Sequence, residues 1–94
     1  MEVLLKFLAL IEADPRISTA HISVFLALWK KLNDAEHKQP IYIFRQELIA
    51  LCKISSCSTY HKAIRQLHEY GYIRYLPSYN HYLGSLVYFE WLLF

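Results

Sequence analysis

The sharpest periodicity in the chain lies just before Gly71. Tyr60, Ala63, Ile64 and Leu67 recur at helical spacing and form one apolar face, while Cys57, Ser58, His61, Lys62, Arg65 and Gln66 fall on the other. This predicts a helix over about 56–70. Ser56 suits its N-cap, and Gly71 suits the left-handed position past its end. A first helix is expected over 2–12, with Val3, Leu4, Phe7, Leu8 and Ile11 on one face. Leu5, Ala9 and Leu10 leave the rest of that helix apolar as well, and a helix apolar nearly all round wants partners on more than one side. Asp14-Pro15 ends it, because the residue before a proline is pushed out of the helical region. A second helix is expected from Ser18 or Thr19 to about Leu32, burying Ile22, Phe25, Leu26, Leu28, Trp29 and Leu32.

A polar loop over 33–39 leads through Pro40 to a short β-prone run at 41–44. A short helix over 45–52 is then expected to bury Leu48, Ile49 and Leu51, and a turn through 53–55 leads to the helix at Ser56. After Gly71, the runs 72–76 and 86–89 flank a polar loop and fit an antiparallel hairpin. The expected fold is thus mainly α with a small β-hairpin, a single domain over 1–94. Its parts are 1–14, 18–33, a helix-turn-helix over 45–70 and a hairpin over 72–92.

The segment ELIALCKISSCSTYHKAIRQLHEYGYIRY resembles the signature of the winged helix-turn-helix superfamily: a Ser/Thr-rich helix start, Ile64 followed by Leu67, then Gly71-Tyr72-Ile73 leading into a strand. With STAHISVFLALWKKLN upstream and LPSYNHYLGSLVYF downstream, the chain is similar over about 18–89 to small bacterial winged-helix proteins linked to mobile elements. The turn at 53–55 is about one residue longer than the commonest spacing. The resemblance implies sequence-specific binding of double-stranded DNA, in transcription regulation or as an accessory factor of a mobile element. It equally admits a winged-helix module that binds only other proteins.

Charge adds a modest bias. Of 94 residues, 10 are Lys or Arg and 8 Asp or Glu, a net +2. Residues 1–40 are balanced, whereas 41–94 carry Arg45, Lys53, Lys62, Arg65 and Arg74 against Glu47, Glu69 and Glu90. A positive side is what a phosphate-contacting protein needs. A major groove admits one helix, read by side chains near its N-terminus. Ser58, His61, Lys62 and Arg65 are placed to do this. Arg65 suits a bidentate guanine or phosphate contact, and Lys62 suits phosphate as a point charge. Ser56, Ser58 and Thr59 can donate to phosphates at the helix start, and Gln66 shares the polar face. In the hairpin, Arg74, Tyr79, Asn80 and His81 are candidates for the neighbouring minor groove or backbone. Tyr70, Tyr72, Tyr75 and Tyr88 read instead as core and strand-pairing residues.

Other chemistries find little support. Cys57, His61 and His68 share a helix face near Cys52, but their spacing matches no common zinc pattern. No metal or cofactor is expected, and Cys52 reads as a small buried hydrophobe. There is no phosphate-cradling glycine loop, no G-x-S-x-G and no paired carboxylates with a base, so no enzyme is expected. The apolar run near the start falls well short of the roughly 20 residues a bilayer span needs, and it lacks the flanks of a signal peptide. Two cysteines without a secretory signal point to free thiols in the cytoplasm. The helix at 2–12, with 91–94 as a possible addition, is expected either to form a homodimer interface or to pack on the protein's own core.

Overall fold

The computed structural model describes residues 2–36, 38, 40–78 and 84–89. The elements are α1 (Glu2–Ile11), α2 (Thr19–Asp34), β1 (Ile41–Ile43), α3 (Arg45–Cys52), α4 (Cys57–Glu69), β2 (Arg74–Leu76) and β3 (Ser85–Tyr88). The fold is mainly helical with one small antiparallel sheet.

Helix α2 is the hub, packing against α1, α3, α4 and β1. It starts at Ser18, held extended (φ −110°, ψ 176°), whose backbone N–H donates to His21 Nδ1 at 2.9 Å. Val24, Phe25, Leu28 and Leu32 are wholly buried and meet Leu48 of α3 and Tyr60, Ile64 and Leu67 of α4 in one core cluster. Phe25 stacks on Phe7 of α1 (centroids 3.7 Å apart) and meets Phe89 edge-on at 5.6 Å. Seating α1 this way turns Leu4, Phe7 and Ile11 inward.

In the sheet, β3 lies between β1 and β2 and pairs antiparallel with both. Ile41 and Tyr75 flank Val87 on the core side, and Tyr42 and Leu76 flank Leu86 on the other. The hairpin therefore has a third strand, contributed by the run before α3. The strands are shorter than the β-prone runs, because Tyr72 and Ile73 turn into the core before β2 begins and α3 starts directly after Phe44.

Helix α4 closes as its glycine predicted. Gly71 takes φ +88°, its N–H reaches the His68 carbonyl at 3.1 Å, and the Tyr72 N–H reaches that of Leu67 at 2.9 Å. Both bonds use carbonyls the helix end leaves orphaned.

Some expected core positions are corrected. Leu26 is 43% exposed and Leu51 37%, while Ile22, Trp29 and Ile49 are half-buried. On α2 the neighbours sit on the side of His21, Val24 and Leu28, which turns Leu26 outward. On α3 only Leu48 and Cys52, one turn apart, point inward. The 91–94 run lies outside the described residues.

Candidate nucleic-acid interface

The apolar face of α4 is wholly consumed by the core, with Tyr60, Ala63, Ile64 and Leu67 at most 2% exposed. The other face is free. Ser58, Thr59, Lys62 and Arg65 are exposed, and His61 is half-buried with its ring set against that of Tyr60 at 5.2 Å. Ser56 acts as the cap: its Oγ accepts from the Thr59 N–H at 3.3 Å.

Three contacts fix how α4 is presented. His21 is 5% exposed. Its Nδ1 accepts from the Ser18 N–H, so the ring proton sits on Nε2, which donates to Gln66 Oε1 at 2.8 Å. Gln66, expected on the contacting face, is thus half-buried and has its carboxamide oxygen tied to α2.

At the far end, Arg16 grips Asp14 with Nε and Nη2, each at 2.9 Å, and lies 4.1 Å above the Tyr70 ring. The Tyr72 hydroxyl donates to the same carboxylate at 2.6 Å. Hydrogen bonds first from Arg16 and then from Tyr72 hold the Asp14 carboxyl well below the usual carboxylate range. Burial and the Asp14 contact push the Tyr72 phenol up to about 12. Finally, the Tyr75 N–H donates to His68 Nδ1 at 3.0 Å and joins β2 to the outer side of α4.

Between α4, the start of α3 and the hairpin runs an open groove of about 1040 Å³. Its walls include Phe44, Arg45, Gln46, His61, Arg65, His68, Tyr75, Pro77 and Ser85, and among the described residues no Asp or Glu lines it. Arg45 and Arg65 are both exposed there. Gly84 closes one end at φ +70°, where a Cβ would come within 3.0 Å of the Ile43 carbonyl and 3.1 Å of the Phe44 ring. A side chain there would be strained by the positive φ and would crowd both neighbours.

Phe44, Arg45 and Gln46 were not among the expected contact residues, because only long-range pairing of β1 with β3 brings the start of α3 beside the hairpin. Arg74 is exposed on the outer side of β2, its guanidinium 5.4 Å from the Tyr88 ring centroid. Tyr79, Asn80 and His81 lie outside the described residues.

The cysteines are free. Cys52 is buried, which pushes its thiol up to about 11, and Cys57 is exposed. Among the described residues no group of three or more His, Cys, Asp or Glu could hold a metal, and no helix is long and apolar enough to cross a membrane. No protein-family model, curated protein or solved structure matches the chain.

Proposed function

We propose that this chain is a winged helix-turn-helix protein that binds double-stranded DNA, with α3 and α4 as the helix-turn-helix and the β2–β3 hairpin as the wing. The observation carrying the reading is one helix with two sides. The apolar side of α4 is fully buried, while Ser58, Lys62 and Arg65 stand exposed beside a groove walled by Arg45, Arg65, His61 and His68 and by no Asp or Glu among the described residues.

In this reading α4 enters the major groove. Arg65 takes a guanine edge or a phosphate in bidentate fashion and Lys62 takes a phosphate. Ser58 and Thr59 add phosphate contacts at the helix start, while Arg45 and Arg74 contact the flanking backbone. Tyr79, Asn80 and His81, outside the described residues, are the remaining contacts in this reading. The resemblance to small regulators linked to mobile elements supports a cytoplasmic role in transcription control or element maintenance.

Fluorescence anisotropy with mixed genomic DNA tests the reading. Three to five phosphate contacts per chain predict a loss of affinity of roughly 40- to 500-fold between about 50 and about 200 mM salt. Absence of binding at low salt, or binding indifferent to salt, refutes it. The exposed Leu5, Leu8, Leu26 and Leu51 favour a second reading, a module that binds proteins alone. In that case replacing Lys62 and Arg65 with alanine leaves partner association intact.

A further inference from the structure

Eight large hydrophobic side chains are exposed among the described residues, and five of them, Leu5, Leu8, Leu10, Leu26 and Leu51, lie on α1, α2 and α3, away from the basic groove. Two shapes emerge. On α1, Leu5 and Leu8 follow one another at helical spacing and make a ridge, 58% and 40% exposed, with Glu12 in the turn just past its end. Between α2 and α3 lies a groove of about 400 Å³, with apolar walls from Ile22, Leu26, Ala27 and Leu51 and with Lys30 and Lys53 among its polar lining.

Helix α1 itself and this groove lie on neighbouring flanks of α2. Going round that helix from Phe25, on which α1 is stacked, Ile22 comes after roughly 60° and Leu26 after roughly 100°.

Charge identifies the occupant. No acid among the described residues lines the groove. Lys53, held at φ +60° just past α3, is exposed and has no ion-pair partner among the described residues, whereas Lys30 is paired with Asp34 on its own helix at 2.8 Å. Glu12, at the end of the α1 ridge, is likewise exposed without an ion-pair partner among the described residues. One chain therefore carries an apolar ridge ending in an acid and, beside it, an apolar groove with a free base.

We propose that a second copy of this chain covers this surface. The Leu5–Leu8 ridge of each protomer lies in the α2–α3 groove of its partner, with Glu12 against Lys53. A two-fold axis near Ile22 and Leu26 brings each ridge to the other groove. Such a contact closes on itself at two copies, whereas a one-way ridge-in-groove contact would build a ring or an open filament. The α4 face stays open on both protomers. The pairing does not depend on the DNA-binding reading.

Sedimentation velocity across about 1 to 100 µM protein tests it, a range matching the association strength of a modest interface. The wild type should sediment as a dimer at the upper end. Leu8→Glu and Leu26→Glu should each raise the dissociation constant at least about 100-fold, as removal of a central apolar anchor does. Their far-ultraviolet circular dichroism and melting should stay close to wild type, since both positions are at least two-fifths exposed. Leu5→Glu, at the most exposed ridge position, repeats the test if either unfolds. Glu12→Lys should weaken the dimer about two- to fivefold, and adding Lys53→Glu should restore it. A wild type that stays monomeric at 100 µM overturns the proposal, as does a dimer indifferent to all three leucine changes. A charge swap that fails to restore association overturns the Glu12–Lys53 register.

Discussion

Helices α1 and α4 are each seated on the core by one apolar face, and they differ in what they turn outward. The free face of α4 is polar and basic, with Ser58, Lys62 and Arg65 exposed. The free face of α1 carries Leu5, Leu8 and Leu10, between 40% and 58% exposed. Anchoring asks only for the inward stripe: Tyr60, Ala63, Ile64 and Leu67 on α4, and Leu4, Phe7 and Ile11 on α1. The outward residues are left over from folding, so the two proposals rest on their chemistry: an anionic partner for α4, another apolar surface for α1.

The largest expected effect is on stability, at the inward stripe of α1. Phe7→Ala should cost about 3–5 kcal/mol in urea unfolding, because the wholly buried ring leaves a cavity against Phe25 and Tyr72. Leu5→Ala on the same helix should change monomer stability by less than about 0.5 kcal/mol. Equal costs at the two sites would break the division of α1 into a structural and a free face.

On α4 the effect should move from stability to binding. The double change Lys62→Ala, Arg65→Ala should lower DNA affinity by at least about tenfold, with melting close to wild type. If both side chains meet phosphates, the slope of log K against log salt should shrink by roughly 1.8. Unchanged affinity would place the contacting surface elsewhere.

A smaller effect is expected where the loop before α2 clasps the end of α4. The folded Asp14 carboxyl sits below its unfolded value of 3.8, so its contribution is fully present above that value and fades as the pH falls further. Acid titration of unfolding stability should therefore be flatter below about pH 4 in Asp14→Asn than in the wild type, and the variant less stable at neutral pH. Identical titration curves would show that the clasp adds nothing to holding α4 in place. Smallest of all, Ser56→Ala should cost about 0.5–1 kcal/mol in thermal unfolding, the lower part of the range for N-cap loss, as befits a 3.3 Å cap bond.

Much of this was legible in the residues. The start of α4 at Ser56 and its end at Gly71 were readable because caps are local chemistry, and the α3 limits were read correctly from the short apolar run before Lys53. Which of several apolar residues would be buried was less legible. The stripe read for α2 included Leu26 and left out Val24, whereas the neighbouring elements bury Val24 and leave Leu26 outside. Gln66 read as an outward polar residue because nothing local reveals that a histidine 45 positions earlier would claim its oxygen. Arg45 read as an ordinary first helical residue until strand pairing brought it beside the hairpin.

The sequence by itself determined the helices, the β-prone runs and the two-sided character of α4, since periodicity and capping act over one or two turns of chain. Tertiary packing alone settles that β1 joins the hairpin, that Arg45 and Arg65 share one groove, and that α1 spends a single face on the core. Those outcomes depend on surfaces meeting across tens of residues, where the number of apolar side chains exceeds what one small core can enclose and geometry selects among them.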